Sequence, residues 1–128
     1  LLRDALERAS KIDEALANAV VVNREMEAER QGWEKRIIRS YRVNGQTVKV
    51  TATEPTDSGR MSGWSTYYLR DGKVFYCKAP FSTFTFDGNK LTYITDQNLN
   101  PLDVSPRDLI LEEERVLKTL EEYLDLLK

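Results

Sequence analysis

The chain has 128 residues, enough for one domain with a modest core, and its 41% hydrophobic and 31% charged residues make an ordinary globular balance. Nineteen basic and twenty-one acidic residues leave a net charge of −2, so no bulk field collects nucleic acid, and the longest apolar run, Ala19–Val22, is far too short to cross a bilayer. With no histidine, the usual general base and the commonest metal ligand are missing, and a single cysteine, Cys77, excludes an internal disulfide and the Cys-rich metal sites.

The chain begins at Leu1 rather than at methionine, which fits an exported bacterial protein whose leader has been removed. Leu2, Ala5, Ala9, Ile12, Leu16, Ala19, Asn23, Met26, Arg30 and Trp33 are spaced alternately three and four apart. This heptad seam predicts one long amphipathic helix over residues 1–34, about 50 Å long. Strands of six or seven residues reach only about 20–24 Å, so such a helix overhangs its sheet and needs a second surface to cover it.

From Lys35 the pattern turns to alternation, and three two-residue turns follow over residues 35–96. Asn44-Gly45 sets Ile37 opposite Ala52 and Tyr41 opposite Val48. Asp71-Gly72 pairs Leu69 with Val74 and Tyr67 with Tyr76 on one face, and Tyr68 with Phe75 and Thr66 with Cys77 on the other. Gly88-Asn89 pairs Phe86 with Leu91 and Phe84 with Tyr93. The Pro-, Gly- and Ser-containing stretch Glu54–Gly63 is the longest loop, and Asp96–Val104 is a second irregular connection. Ser105-Pro106 then reads as an N-cap with proline at the first helical position, opening a closing helix over residues 105–127. Its apolar stripe, from Leu109 and Ile110 to Leu127, is wide enough to contact two surfaces.

These elements predict a single α+β domain: a long N-terminal helix, a six-strand antiparallel meander of three hairpins and a C-terminal amphipathic helix. A hairpin apolar on both faces needs cover on both, which the protein's own helices supply most simply.

The first functional expectation is a non-enzymatic interaction module. The seam residues Leu2, Ile12, Leu16, Met26 and Trp33 would carry self-association or the binding of a protein partner. The second is a carrier of a small apolar ligand or lipid, with Tyr67, Leu69, Val74 and Tyr76 lining a curved sheet. The third and weakest is a carboxylate hydrolase centred on Glu54, Asp57 and Asp96. No nucleophile–base pair, phosphate-cradling glycine loop or calcium-loop spacing is present, so no catalytic residue, metal or cofactor is assigned.

The stretch Gly63–Lys78, Gly-Trp-Ser-Thr-Tyr-Tyr-Leu-Arg-Asp-Gly-Lys-Val-Phe-Tyr-Cys-Lys, resembles the second and third strands of pleckstrin-homology domains, and a helix after the last strand also fits that family. The resemblance implies a seven-stranded fold with one strand before this hairpin. Here a complete Asn-Gly hairpin precedes it, the final helix has no tryptophan, and the family's basic phosphoinositide loop would offer only Arg60. The family's ligand residues are therefore not carried over.

Overall fold

A computed structural model of the chain describes residues 1–128, in which helix α1 (Leu2–Glu14) and a 3-10 turn (Leu16–Asn18) precede seven strands and helix α2 (Pro106–Leu126). The strands are β1 (Val20–Met26), β2 (Arg36–Val43), β3 (Gln46–Pro55), β4 (Met61–Arg70), β5 (Lys73–Lys78), β6 (Ser82–Asp87) and β7 (Lys90–Asp96). They pair antiparallel in chain order, β1 to β7, as one meander. The fold is α+β, with helix, sheet and helix in the expected order.

Two features differ from the sequence reading. The first helix has 13 residues and ends at Glu14 rather than near Trp33, and Val20–Met26 is a seventh strand. The reason lies in Val20-Val21-Val22: three β-branched side chains in a row lose rotamer freedom in a helix and fit a pleated surface well. Seven paired positions, from Val20 opposite Arg42 to Met26 opposite Arg36, then hold the segment against β2. At 13 residues α1 is about 20 Å long, the length of a strand, and nothing overhangs. The hairpin that resembles pleckstrin-homology strands two and three is β4–β5, with three strands before it.

The three turns fall where expected. Both residues of Asn44-Gly45 and of Asp71-Gly72 have positive φ, as a type I′ hairpin requires, whereas Asn89 does not share the positive φ of Gly88. In each hairpin, however, the register slips by one residue at the same place, three residues after the turn. Val48, Phe75 and Thr92 are left over as bulges. Ile38 rather than Ile37 therefore faces Ala52, Tyr67 faces Cys77, Tyr68 faces Tyr76, and Phe84 faces Ile94. Bulges bend a strand and increase its twist. Three of them in equivalent places curl the sheet around α2.

That curl explains the main core. Val116, Leu120 and Tyr123 of α2 and Leu127 at its C-terminal cap pack in one cluster with Ile38, Val50, Leu69, Val74, Phe84 and Leu91, so strands β2 to β7 all contribute to the core beneath one helix. The Tyr67 and Tyr123 rings meet edge-on, with centroids 6.0 Å apart. The Ser105 side chain accepts the Asp108 N–H (3.2 Å) at the start of α2, and at its end the Arg42 guanidinium donates to the Leu127 carbonyl (3.0 Å). A cation there also suits the negative pole of the helix.

On the opposite face, Ala5 and Ala9 of α1 pack against Tyr68 and Tyr76, flanked by Leu2, Leu6, Ile12 and Phe75. Alanine at both contact positions lets the helix lie close to the rings. Asp13 fastens its last turn by accepting from Lys49 Nζ (2.8 Å) and from the Tyr68 hydroxyl (2.9 Å). Burial, with the Asp13 hydrogen bond second, pushes the Tyr68 hydroxyl well above its ordinary pKa.

Candidate interaction surface

The expected seam does not form one surface. Leu2 and Ile12 pack on the sheet through α1, Leu16 lies in the 3-10 turn, and Met26 ends β1 against the α2-side core. Trp33 lies between β1 and β2, against the Gly59 backbone, with the Arg30 guanidinium 5.1 Å from its ring centre. The expected ligand face is also divided. Tyr67, Leu69 and Val74 lie under α2 while Tyr76 lies under α1, because the Phe75 bulge turns it over, and all four are at most 5% exposed. The protein's own helices cover them.

The three carboxylates are not gathered. Asp57 lies exposed in the β3–β4 turn, and Asp96 on β7 stands four strands from Glu54 on β3, about 19 Å along the sheet. Glu54 belongs to a partly buried network around Arg36, whose guanidinium meets Glu29 (2.6 Å), Glu54 (3.3 Å) and the Tyr123 hydroxyl (2.9 Å). Ser65 donates to Glu54 from the other side (2.7 Å). Burial works to raise the Glu29 carboxyl, but hydrogen bonds from its own backbone N–H and from Arg36 outweigh it and hold the carboxyl below its usual range. Burial likewise pushes the Tyr123 hydroxyl up to about 12. Every charge in the network has a partner, and through Tyr123, Arg36 and Glu54 the network ties α2 to β2 and β3.

A groove with exposed apolar side chains lies at the other end of α2. After β7, the Asp96 carboxylate accepts the N–H groups of Asn98 (2.8 Å) and Asn100 (3.0 Å), and Leu99 takes a left-handed φ of 66°. This tight reversal sends the chain back along β7, where the Leu102 N–H donates to the Ile94 carbonyl (3.0 Å). Leu102 and Val104 thereby form one wall of a groove of about 550 Å³, with Phe84 and Ile94 at its base. Leu111, Asp108, Glu112 and Arg115 of α2 form the opposite wall.

Leu111 is 51% exposed and Leu102 44%, and both line the groove. Exposed large apolar side chains normally scatter singly over a surface, whereas these two share one groove. The charged groups lining the groove are Asp108, Glu112 and Arg115, and Arg115 is engaged by Glu112 (2.7 Å) and lies 5.7 Å from the centre of the Phe84 ring. Cys77, behind this wall, is a buried thiol that burial pushes far above its ordinary pKa.

The two sheet edges are finished differently. β7 is occupied, since the Leu91 N–H donates to the Glu113 carboxylate (2.7 Å) and the returning chain pairs Pro101 with Thr95. β1 has only the Arg24 guanidinium turned back on the Asn23 carbonyl (2.9 Å), and Val20 and Val21 are exposed there.

Comparison with protein-family models, with curated proteins and with solved structures finds no match to this chain. No helix is long and apolar enough to cross a membrane.

Proposed function

We propose that the chain is a non-enzymatic protein-interaction module that receives a bulky apolar side chain of a partner segment in the groove between α2 and the 97–104 connection. One observation carries this reading: Leu102 and Leu111 stand exposed on facing walls of a groove floored by Phe84 and Ile94. Burying such side chains removes about 1.5–3 kcal/mol of unfavourable hydration each, the scale of an interface hot spot. With Arg115 held by Glu112, the Asp108 carboxylate on the groove wall favours lysine or arginine beside the apolar residue of the partner.

The test is selection from a displayed peptide library on the intact chain, with the Leu111→Asp variant as the counter-selection. Enriched peptides should share a large apolar residue flanked by basic ones and bind the variant at least about tenfold more weakly. Leu111 is exposed, so the variant should keep its melting temperature. Peptides that bind both proteins equally, or no enrichment, would overturn the reading.

The bare edge of β1 favours a second reading, strand addition by another copy of the chain. Seven residues with three consecutive valines and no proline leave an edge that strands readily extend. Sedimentation equilibrium should then detect a dimer that Val21→Lys dissociates, and a chain monomeric at high micromolar concentration removes this reading.

A further inference from the structure

A second concavity, on the α1 face, has a different chemistry. It measures about 280 Å³ and lies between the last turns of α1 and the tips of the β2–β3 and β4–β5 hairpins. Its floor is apolar, made by Ile12 of α1 and the bulge residues Val48 and Phe75. Each bulge sets an extra side chain beside the regular ladder, and here two of them come together under one helix.

Three cations stand around this floor: Arg8 and Lys11, one helical turn apart on α1, and Arg70 at the end of β4. None of the three makes an ion pair within the chain. Asp71 is the single carboxylate on the rim, leaving an excess of positive charge over an apolar surface.

We infer that this cleft binds a compact apolar carboxylate, a small aromatic or short-chain acid whose hydrophobic body lies on Phe75, Val48 and Ile12 and whose carboxylate meets Arg8, Lys11 and Arg70. The volume lies just below the range of about 300–1,000 Å³ typical of small-molecule sites, which limits the occupant to a compact molecule. Charge chooses the headgroup, since guanidinium groups pair with carboxylates through forked hydrogen bonds. A bare phosphate would leave the apolar floor unused.

The experiment is a two-dimensional amide NMR titration of the intact chain with 1-naphthoate, in parallel with uncharged 1-naphthalenemethanol and with inorganic phosphate. The naphthoate should shift the amides of Ile12, Val48, Arg70 and Phe75, with a dissociation constant on the order of 1 mM for a ligand of this size. The alcohol should bind several-fold more weakly, and phosphate should leave these amides unmoved. Lys11→Gln and Arg70→Gln, both at exposed positions, should each weaken the naphthoate by about two- to fivefold without changing the rest of the spectrum. Equal binding of acid and alcohol, the same shifts with phosphate alone, or naphthoate shifts centred on Leu102 and Leu111 would each overturn the assignment. Leu111→Asp should leave the titration unchanged, which keeps this site separate from the groove.

Discussion

Gly59→Ala gives the sharpest test of how the two long connections brace each other. Gly59 has a φ of 82°, and a Cβ built there would lie 2.1 Å from Trp33 Cδ1 and 2.4 Å from Cγ. Alanine in a left-handed conformation costs about 1–2 kcal/mol by itself. The clash adds to this, because the obstacle is the root of a rigid indole rather than a flexible chain end. Displacing Trp33 also gives up the Arg30 stacking contact, about 0.5–1 kcal/mol, and strains the Glu34 N–H to Gly59 carbonyl hydrogen bond (3.0 Å), about 0.5–1.5 kcal/mol. The expected loss is about 2–4 kcal/mol, read from urea melts followed by far-UV circular dichroism. Gly72 is the control: its φ is 79° but nothing lies within 4 Å of its added Cβ, so Gly72→Ala should cost the backbone strain alone, about 1–2 kcal/mol. Adding Gly59→Ala to a Trp33→Ala background should likewise cost only that strain. Equal losses for the two glycines, or a Gly59→Ala penalty indifferent to Trp33, would refute the stacking argument.

Glu113→Ala should destabilise by about 1–3 kcal/mol in the same assay, because it strips the only acceptor from the Leu91 N–H at the edge of the sheet. Ser40→Ala should be neutral or stabilising by up to about 1 kcal/mol, since the Ser40 hydroxyl is buried with no hydrogen-bond partner. Acid titration should show stability held above the ordinary carboxylate values of 4.5 for Glu29 and 3.8 for Asp96 and lost as pH falls through their depressed folded values, and Glu29→Gln with Asp96→Asn should flatten that slope. In alkali the sign reverses: burial raises Tyr67, Tyr68, Tyr76 and Tyr123 above 10.0, so stability holds to that pH and declines as pH rises towards about 12, where Tyr123 ionises in the folded chain. In a Tyr41→Phe, Tyr93→Phe background, which leaves these four as the only tyrosines, absorbance at the tyrosinate band should rise together with unfolding rather than ahead of it.

Much of the fold is legible because its signals are local. Asn44-Gly45, Asp71-Gly72 and Gly88-Asn89 announce their hairpins by backbone requirement, and Ser105-Pro106 announces α2 by its cap. The end of α1 is less visible, since Ala19, Asn23 and Met26 keep the heptad spacing while Val20–Val22 argue for a strand. What decides between them is the seven-pair ladder with β2, a tertiary gain that spacing does not register. Glu113 sits among glutamates that read as a solvated helix face, and only the approach of β7 makes it an acceptor. The groove left two weak marks: Leu102 and Val104 in a mostly polar connection, and an α2 stripe too broad for one contact.

The bulges show why side-chain direction was harder to read than topology. A two-residue turn fixes pairing only as far as the ladder stays regular, and one extra residue reverses the facing of everything beyond it. At Phe75 the slip moves Tyr76 from the face of Tyr67 to that of Tyr68, turning one expected ligand face into two separate helix-covered layers. The same slip leaves Phe75 only half-buried, at the floor of the α1 cleft, where Val48 arrives by the equivalent slip in β3. A regular ladder would have buried or exposed these side chains in strict alternation. The irregularity that bends the sheet around α2 therefore also supplies the apolar floor beneath Arg8, Lys11 and Arg70, so core curvature and binding chemistry have a common structural origin.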